Sequence, residues 1–255
     1  MIFCLDIGNT HIFGGLYLDN TLKLQFRYPS ASPLTSDQLG LFFKSVLREN
    51  GIDPSQIKKV AICSVIPALH YSIRSAFLKY FSLEPFFLHR DANMVLKIGY
   101  DNPHEVGADR ISNGIAAIEH YPNQNIIVID LGTATTFDVI TADKIYKGGI
   151  IMPGIHISMK ALYENTAKLS AVHIIKPDHL LGQTTTANIQ SGLYYSHLGA
   201  MREVVQRITT SIFQHQPPVV IGTGGFSYLF ENEHIFDSIC PELVLEGLQI
   251  SAKLN

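Results

Sequence analysis

Charge is scarce in this chain. Asp, Glu, Lys and Arg make up 16% of its 255 residues, and the net charge is −3. There is no tract of basic residues, so nucleic acid is not expected as the main partner. The hydrophobic fraction of 46% is enough for well-developed cores, which argues against disorder. Cysteine is almost absent: Cys4, Cys63 and Cys240 lie far apart and form no C-x-x-C pair, which excludes a zinc or dithiol motif. An odd, sparse count fits a reducing cytosol. No apolar run approaches the roughly 18 residues of a membrane span. The N-terminus lacks a basic stretch and Asp6 interrupts its apolar run, so no signal peptide is expected and the location is expected to be cytoplasmic. Familiar site motifs are missing too. No Gly-rich loop ends in G-K-[ST], no G-x-G-x-x-G follows a strand, and the eleven histidines contain no H-E-x-x-H. No G-x-S-x-G elbow is present.

What is present is a cassette that occurs twice. Residues 2–10 read Ile-Phe-Cys-Leu-Asp-Ile-Gly-Asn-Thr, and residues 126–135 read Ile-Ile-Val-Ile-Asp-Leu-Gly-Thr-Ala-Thr. Asp6 and Asp130 occupy equivalent places, as do Gly8 and Gly132. A buried strand that delivers a carboxylate to a tight turn can hold a cation and present backbone N–H groups to phosphate oxygens. One such turn is equally a strand cap, with Asp6 and Asn9 bonding their own backbone. The repeat favours the functional reading, because turn chemistry does not require the same carboxylate in both halves.

Periodicity around the cassettes repeats as well. In the first half, strands are expected at Met1–Leu5, His11–Tyr17, Leu22–Tyr28, Lys59–Ser64 and Pro85–Leu88. Helices are expected at Ser36–Glu49, from Pro67 onward, and at Arg110–His120, with 89–108 as a loop. The second half follows with strands at Ile126–Asp130, Thr135–Thr141 and Lys144–Ile150, a helix near His156–Tyr163, and a long helix over Thr186–Phe213. A strand at Pro218–Ile221 and a helix at Glu242–Leu254 close the chain. The pattern predicts an α/β protein of two similar domains, 1–121 and 122–255, about a shared cleft, with Tyr121–Asn125 as the linker.

Three other segments could carry chemistry. In Gly107-Ala108-Asp109-Arg110, Asp109 is a candidate helix N-cap or solvated partner of Arg110. It is equally a candidate proton acceptor for a substrate hydroxyl, with the planar donor fork of Arg110 a candidate for binding a carboxylate or phosphate. The preceding loop around Tyr100 could line the same pocket. Gly148–Gly154 reads as a strand-to-helix connection, and Gly222-Thr223-Gly224-Gly225 as a tight turn or a nucleotide approach.

Taken in order, Asp6–Thr10, Gly107–Arg110, Asp130–Thr135 and Gly149–Gly154 resemble the type III pantothenate kinases, as do Thr166–Leu169 and Thr185 with Gln190–Gly192. The resemblance implies the fold of the acetate and sugar kinase, Hsp70 and actin superfamily, with two ribonuclease-H-like halves. It implies ATP-dependent phosphorylation of pantothenate at its primary hydroxyl, the first step toward coenzyme A. Asp109 would be the proton acceptor. Asp6, Ile7, Gly8, Asn9, Thr10, His11, Ile12 and Phe13 would hold the ATP phosphates, with Asp6 near Mg²⁺, and Thr133 would contact ATP. Asp130 would bind a monovalent cation, K⁺ or NH₄⁺. Tyr100, Gly107, Ala108, Asp109, Arg110 and Thr185 would contact pantothenate, in a homodimer. Two alternatives remain at this point: a kinase of another small alcohol, and a non-catalytic, nucleotide-binding accessory protein.

Overall fold

The computed structural model describes residues 1–30 and 33–255. In chain order the strands and helices are β1 (Ile2–Ile7), β2 (His11–Leu18), β3 (Thr21–Pro29), α1 (Ser36–Glu49), β4 (Lys59–Ser64), α2 (Pro67–Phe81), β5 (Phe86–Phe87), β6 (Lys97–Ile98) and α3 (Ala108–His120). Then come β7 (Ile126–Leu131), β8 (Ala134–Ile140), β9 (Ile145–Pro153), α4 (Ile155–Glu164), α5 (Thr185–Ser211), β10 (Val219–Thr223), β11 (Ser238–Ile239) and α6 (Leu243–Leu254). They form two compact units. One is Met1–Glu119 with Leu243–Asn255, the other His120–Glu242. Among the described residues no helix is long and apolar enough to cross a membrane.

The first unit holds a sheet in the order β3-β2-β1-β4-β5. The hairpin strands β1, β2 and β3 pair antiparallel, while β1–β4 and β4–β5 are parallel. β3 alternates exposed and half-covered residues, as an edge strand with one wet face should. β1 sits centrally, and its odd positions Phe3, Leu5 and Ile7 enter a core with Leu39, Phe43, Leu47, Ile73 and Phe77 from α1 and α2. Phe3 meets Phe43 and Phe77 edge-on at centroid distances of 5.5 and 5.6 Å, the favoured geometry for aromatic pairs. Both helices start where local chemistry demands. Thr35 and Gln38 form a reciprocal capping box for α1, and Pro67 opens α2, where its missing N–H costs nothing. Because side chains alternate across a strand, Cys4 and Asp6 leave β1 on the opposite face. That face is covered by α6: Gly15, which pairs with Cys4, lies against Leu245.

Within the second unit the strands run β11-β10-β7-β8-β9. β7–β8 and β8–β9 are antiparallel, and β7–β10 and β10–β11 are parallel. This is the strand plan of the first unit again, so the expected duplication of a ribonuclease-H-like α/β fold is present. Ile127, Ile129 and Leu131 face a core built with Ile155 and Met159 of α4 and Leu193, Tyr194, Leu198 and Met201 of α5. Asp130, on the other parity, leaves the opposite face as Asp6 does.

Three expectations differ from the structure. The sequence pattern runs the second domain to residue 255, yet α6 belongs to the first unit and contacts its β1, β2 and β4. Its apolar face is legible in sequence, but the sheet it covers is a tertiary matter. Helix α3 begins at Ala108 rather than Arg110, because the Gly107 carbonyl already accepts the first helical bond from Ile111 N at 3.0 Å. Asp109 therefore stands inside the first turn and is not the N-cap. The two-residue strands β6 and β11 have no periodicity to announce them; β11 forms by pairing with Ile221 and Gly222 of β10.

Candidate active site

In each unit the carboxylate is the penultimate residue of the first strand, at the end from which the chain turns. After Asp6, the turn Gly8-Asn9-Thr10 closes when Gly8 N donates to the His11 carbonyl at 3.0 Å. Asn9, Thr10 and His11 are exposed, so this turn offers its polar groups to solvent. The predicted phosphate segment is not uniform. The side chains of Ile7 and Ile12 belong to the hydrophobic core, leaving only their backbone for a ligand. Phe13 pairs with Asp6 across the hairpin, and its ring is covered by the Arg27 guanidinium at 3.9 Å.

Asp6 has a neighbour that sequence reasoning passed over. Cys63 of β4 lies directly beside it in the parallel register, and its thiol donates to Asp6 Oδ1 at 3.2 Å. Burial pushes the Cys63 thiol well up, and the negative charges of Asp6 and Asp109 add to this. Asp6 and Cys63 are thus paired on one face of the first unit's sheet. In the sequence Cys63 was only one more residue of an apolar strand, and nothing local marks its partner 57 positions earlier.

Asp109 is held by the start of α3. Its Oδ1 accepts from Arg110 N at 2.8 Å, in a first helical turn whose dipole favours a carboxylate. Burial nevertheless outweighs these contacts and raises its pKa above the ordinary carboxylate value. A Cβ at Gly107 would lie 2.4 Å from Asp109 Oδ1, so only glycine lets the carboxylate fold back over the helix start. Arg110 follows in the same turn, and Tyr100 lies half-buried in the connection after β6. Tyr100, Gly107, Ala108, Asp109 and Arg110 all belong to the first unit.

In the second unit, Asp130 pairs with Thr136 of β8 and Thr223 of β10. Gly224 has φ +84°, and a side chain there would meet Asp130 Oδ1 at 2.4 Å. The left-handed turn that ends β10 and the carboxylate therefore close on one another. Gly154, which starts α4, leaves no room for a side chain against the Thr133 carbonyl. The two glycine segments that were ambiguous in sequence thus both pack on the Asp130-Leu131-Gly132-Thr133 turn. Thr133 is exposed, and Thr185 is exposed at the first position of α5, whose cap is Thr184 bonded to Ala187 N at 3.2 Å.

The buried His197 is set between two carbonyls, with Nδ1 2.9 Å from Leu193 O and Nε2 3.3 Å from Pro153 O, and its one N–H donates to one of them. Among the described residues no group of three or more His, Cys, Asp or Glu could by itself hold a metal. Single carboxylates at turns suit Mg²⁺, which commonly binds through one or two carboxylates and takes its remaining oxygens from phosphates and water.

Two units of one strand plan, each ending its first strand in a carboxylate and a glycine turn, have the fold that the resemblance implies, that of the acetate and sugar kinase, Hsp70 and actin superfamily. Solved structures agree on the fold. A Sinorhizobium meliloti protein described as a 2-dehydro-3-deoxygalactonokinase by assignment superposes with a TM-score of 0.56 at 12% identity, covering 99% of this chain and 96% of that one. A Campylobacter jejuni protein described as a conserved Baf family transcriptional activator gives 0.61 at 20% identity, over 98% and 97%. The particular family follows from sequence. The type III pantothenate kinase model matches residues 2–207. The type III pantothenate kinase of Legionella pneumophila (strain Corby) is 51% identical over 255 residues, covering 100% of this chain and 99% of that protein. Type III pantothenate kinase 1 of Francisella tularensis subsp. holarctica (strain OSU18) is 46% identical over the whole of both. The chain belongs to the type III pantothenate kinase family, and as such is an ATP-using kinase.

Proposed function

We propose that the chain transfers the γ-phosphoryl group of ATP to the primary hydroxyl of pantothenate, with Asp109 as the proton acceptor. The observation that carries the assignment is the placing of Asp109: a half-buried carboxylate at the start of α3, its Oδ1 held by Arg110 N and its pKa raised above the ordinary value by burial. Phosphoryl transfer leaves little covalent chemistry to the protein; positioning and charge neutralisation do the work. The turn Asp6–Phe13 binds the ATP phosphates through the backbone N–H groups and polar side chains of Asn9, Thr10 and His11. Thr133 contacts ATP. Mg²⁺, when bound, neutralises phosphate charge, and Asp6 is the residue that holds it. Arg110 and Tyr100 orient pantothenate, Gly107 and Ala108 shape its contact with the start of α3, and Asp109 takes the hydroxyl proton. Thr185 completes the pantothenate site in a homodimer, in the cytoplasm.

A coupled ADP-release assay over a panel of small alcohols tests this. Turnover with pantothenate far above that with sugars, acetate or glycerol is expected. Turnover with another alcohol at or above that with pantothenate would favour the other-alcohol reading, which the strand plan shared with a sugar kinase motivates. A protein that binds nucleotide without turnover would release no ADP with any of the alcohols.

Asp130 takes a monovalent cation in this scheme. Its carboxylate sits in a turn that Gly132 and Gly224 pack closely, Gly224 leaving no room for a side chain beside Asp130 Oδ1. Activity should rise with K⁺ or NH₄⁺ and be poor in Na⁺, and Asp130→Ala should remove the difference between salts. Equal rates of the parent protein in all three salts would end this assignment.

A further inference from the structure

We infer that Cys63 is a positioning residue for Asp6: its thiol holds one carboxylate oxygen so that the side chain meets the phosphate site in a single orientation. The inference rests on the reading of Asp6 as the residue that handles phosphate-bound Mg²⁺. Three observations carry it. β1 and β4 are parallel, with Asp6 and Cys63 as direct register partners, so both side chains leave the sheet on the same face. The Cys63 Sγ to Asp6 Oδ1 distance is 3.2 Å, well inside hydrogen-bonding range for sulfur. Cys63 is fully buried, so its rotamer is fixed by packing and the thiol has no solvent to bond instead.

The choice of group has a chemical logic. A thiol is a weak, uncharged donor. It can restrain a carboxylate without neutralising it, whereas a Lys or Arg in the same place would compete with any cation for the same oxygens. Cys4, two residues before Asp6 on the same strand, provides the contrast. It is equally buried but stands opposite Ala61, with no carboxylate beside it, and is a core residue only.

The test uses the full chain and Mg²⁺ with ADP as the probe. Calorimetric binding of ADP, with Mg²⁺ and with chelator, is compared among the parent, Cys63→Ala, Cys63→Ser and Asp6→Asn. Cys63→Ala should weaken binding roughly 5-fold, the worth of one weak hydrogen bond, and only when Mg²⁺ is present. Cys63→Ser, which keeps a donor, should restore it. In turnover the KM for Mg·ATP should rise by a similar factor while kcat stays within about 2-fold, since a merely packing role would cut the active fraction and leave KM alone. Parent-like binding of Mg·ADP by a folded Cys63→Ala protein, alongside a loss in Asp6→Asn, overturns the role of Cys63 alone. Unchanged binding in Asp6→Asn overturns the reading of Asp6 and this inference with it. The infrared S–H stretch gives a readout independent of ligand. The band that Cys63→Ser removes should sit at a hydrogen-bonded frequency in the parent and move to the free-thiol frequency in Asp6→Ala. A band that does not move shows that the bond is absent and overturns the inference even if Cys63→Ala does not fold.

Discussion

Replacing Asp109 with Asn is expected to cut kcat by ~10²–10⁴, the usual worth of acid–base catalysis, with ADP binding nearly unchanged. The substitution keeps the shape of the side chain, and its amide oxygen can still accept from Arg110 N as the carboxylate does at 2.8 Å. What it removes is the ability to take a proton from the attacking hydroxyl. The pH dependence should change with it. Asp109 must be ionised to act, and burial raises its pKa, so the acidic limb of the parent kcat/KM profile should lie above the ordinary carboxylate value. That limb should vanish in the variant. Stability moves the opposite way. A carboxyl whose folded pKa is raised binds its proton more tightly in the folded state, so its contribution is greatest at low pH and is lost as pH rises through the folded value. At neutral pH the parent carries a half-buried, ionised carboxylate at a cost, and Asp109→Asn should melt at the same temperature or higher. Single-turnover kinetics and a thermal melt check both halves. Near-parental turnover would remove Asp109 from the chemistry, and a large fall in melting temperature would mean that the carboxylate was holding the helix start.

The parts legible in the sequence were those set by local rules. The paired strand-turn cassettes were visible because a buried strand that ends in Asp-x-Gly is a local pattern, and Pro67 marked the start of α2 for the same reason. Asp109 could be placed at a helix start but not within the turn, because the step from cap to first turn depends on whether the Gly107 carbonyl is already engaged. The remainder depended on pairing between distant segments. Cys63 becomes informative only through the β1–β4 register. The closeness of Gly224 and Gly154 to the Asp130 turn is set by how β10 and α4 pack, which no spacing in the chain encodes. The same holds for α6, whose apolar stripe would suit either sheet.

The second large effect concerns that helix. Gly247 of α6 is buried where α6 crosses α3, and a Cβ there would lie 1.9 Å from the Ser112 carbonyl oxygen and 2.5 Å from its carbon. No rotamer change relieves this, because the obstacle is backbone. The Ser112 hydroxyl also donates to the Val244 carbonyl at 2.7 Å, one turn earlier on α6, so the two helices are joined at their closest approach. Gly247→Ala gains about 1 kcal/mol of helix propensity. Against this stand overpacking of about 1–3 kcal/mol or more and a strained or broken buried hydrogen bond, which costs about 1–3 kcal/mol when its partners stay buried. A net loss of about 3 kcal/mol is expected, which for a chain of this size corresponds to a fall in Tm of ~6–12 °C. Activity should fall too, since α3 carries Asp109 at its start and is the helix that must move. Gly192→Ala on α5 supplies the control, as nothing lies within 4 Å of the added methyl. There the propensity gain stands alone, and the protein should be unchanged or slightly more stable. If the two substitutions shift the melting temperature alike, the close approach of α3 and α6 is not what holds α6 on the first unit.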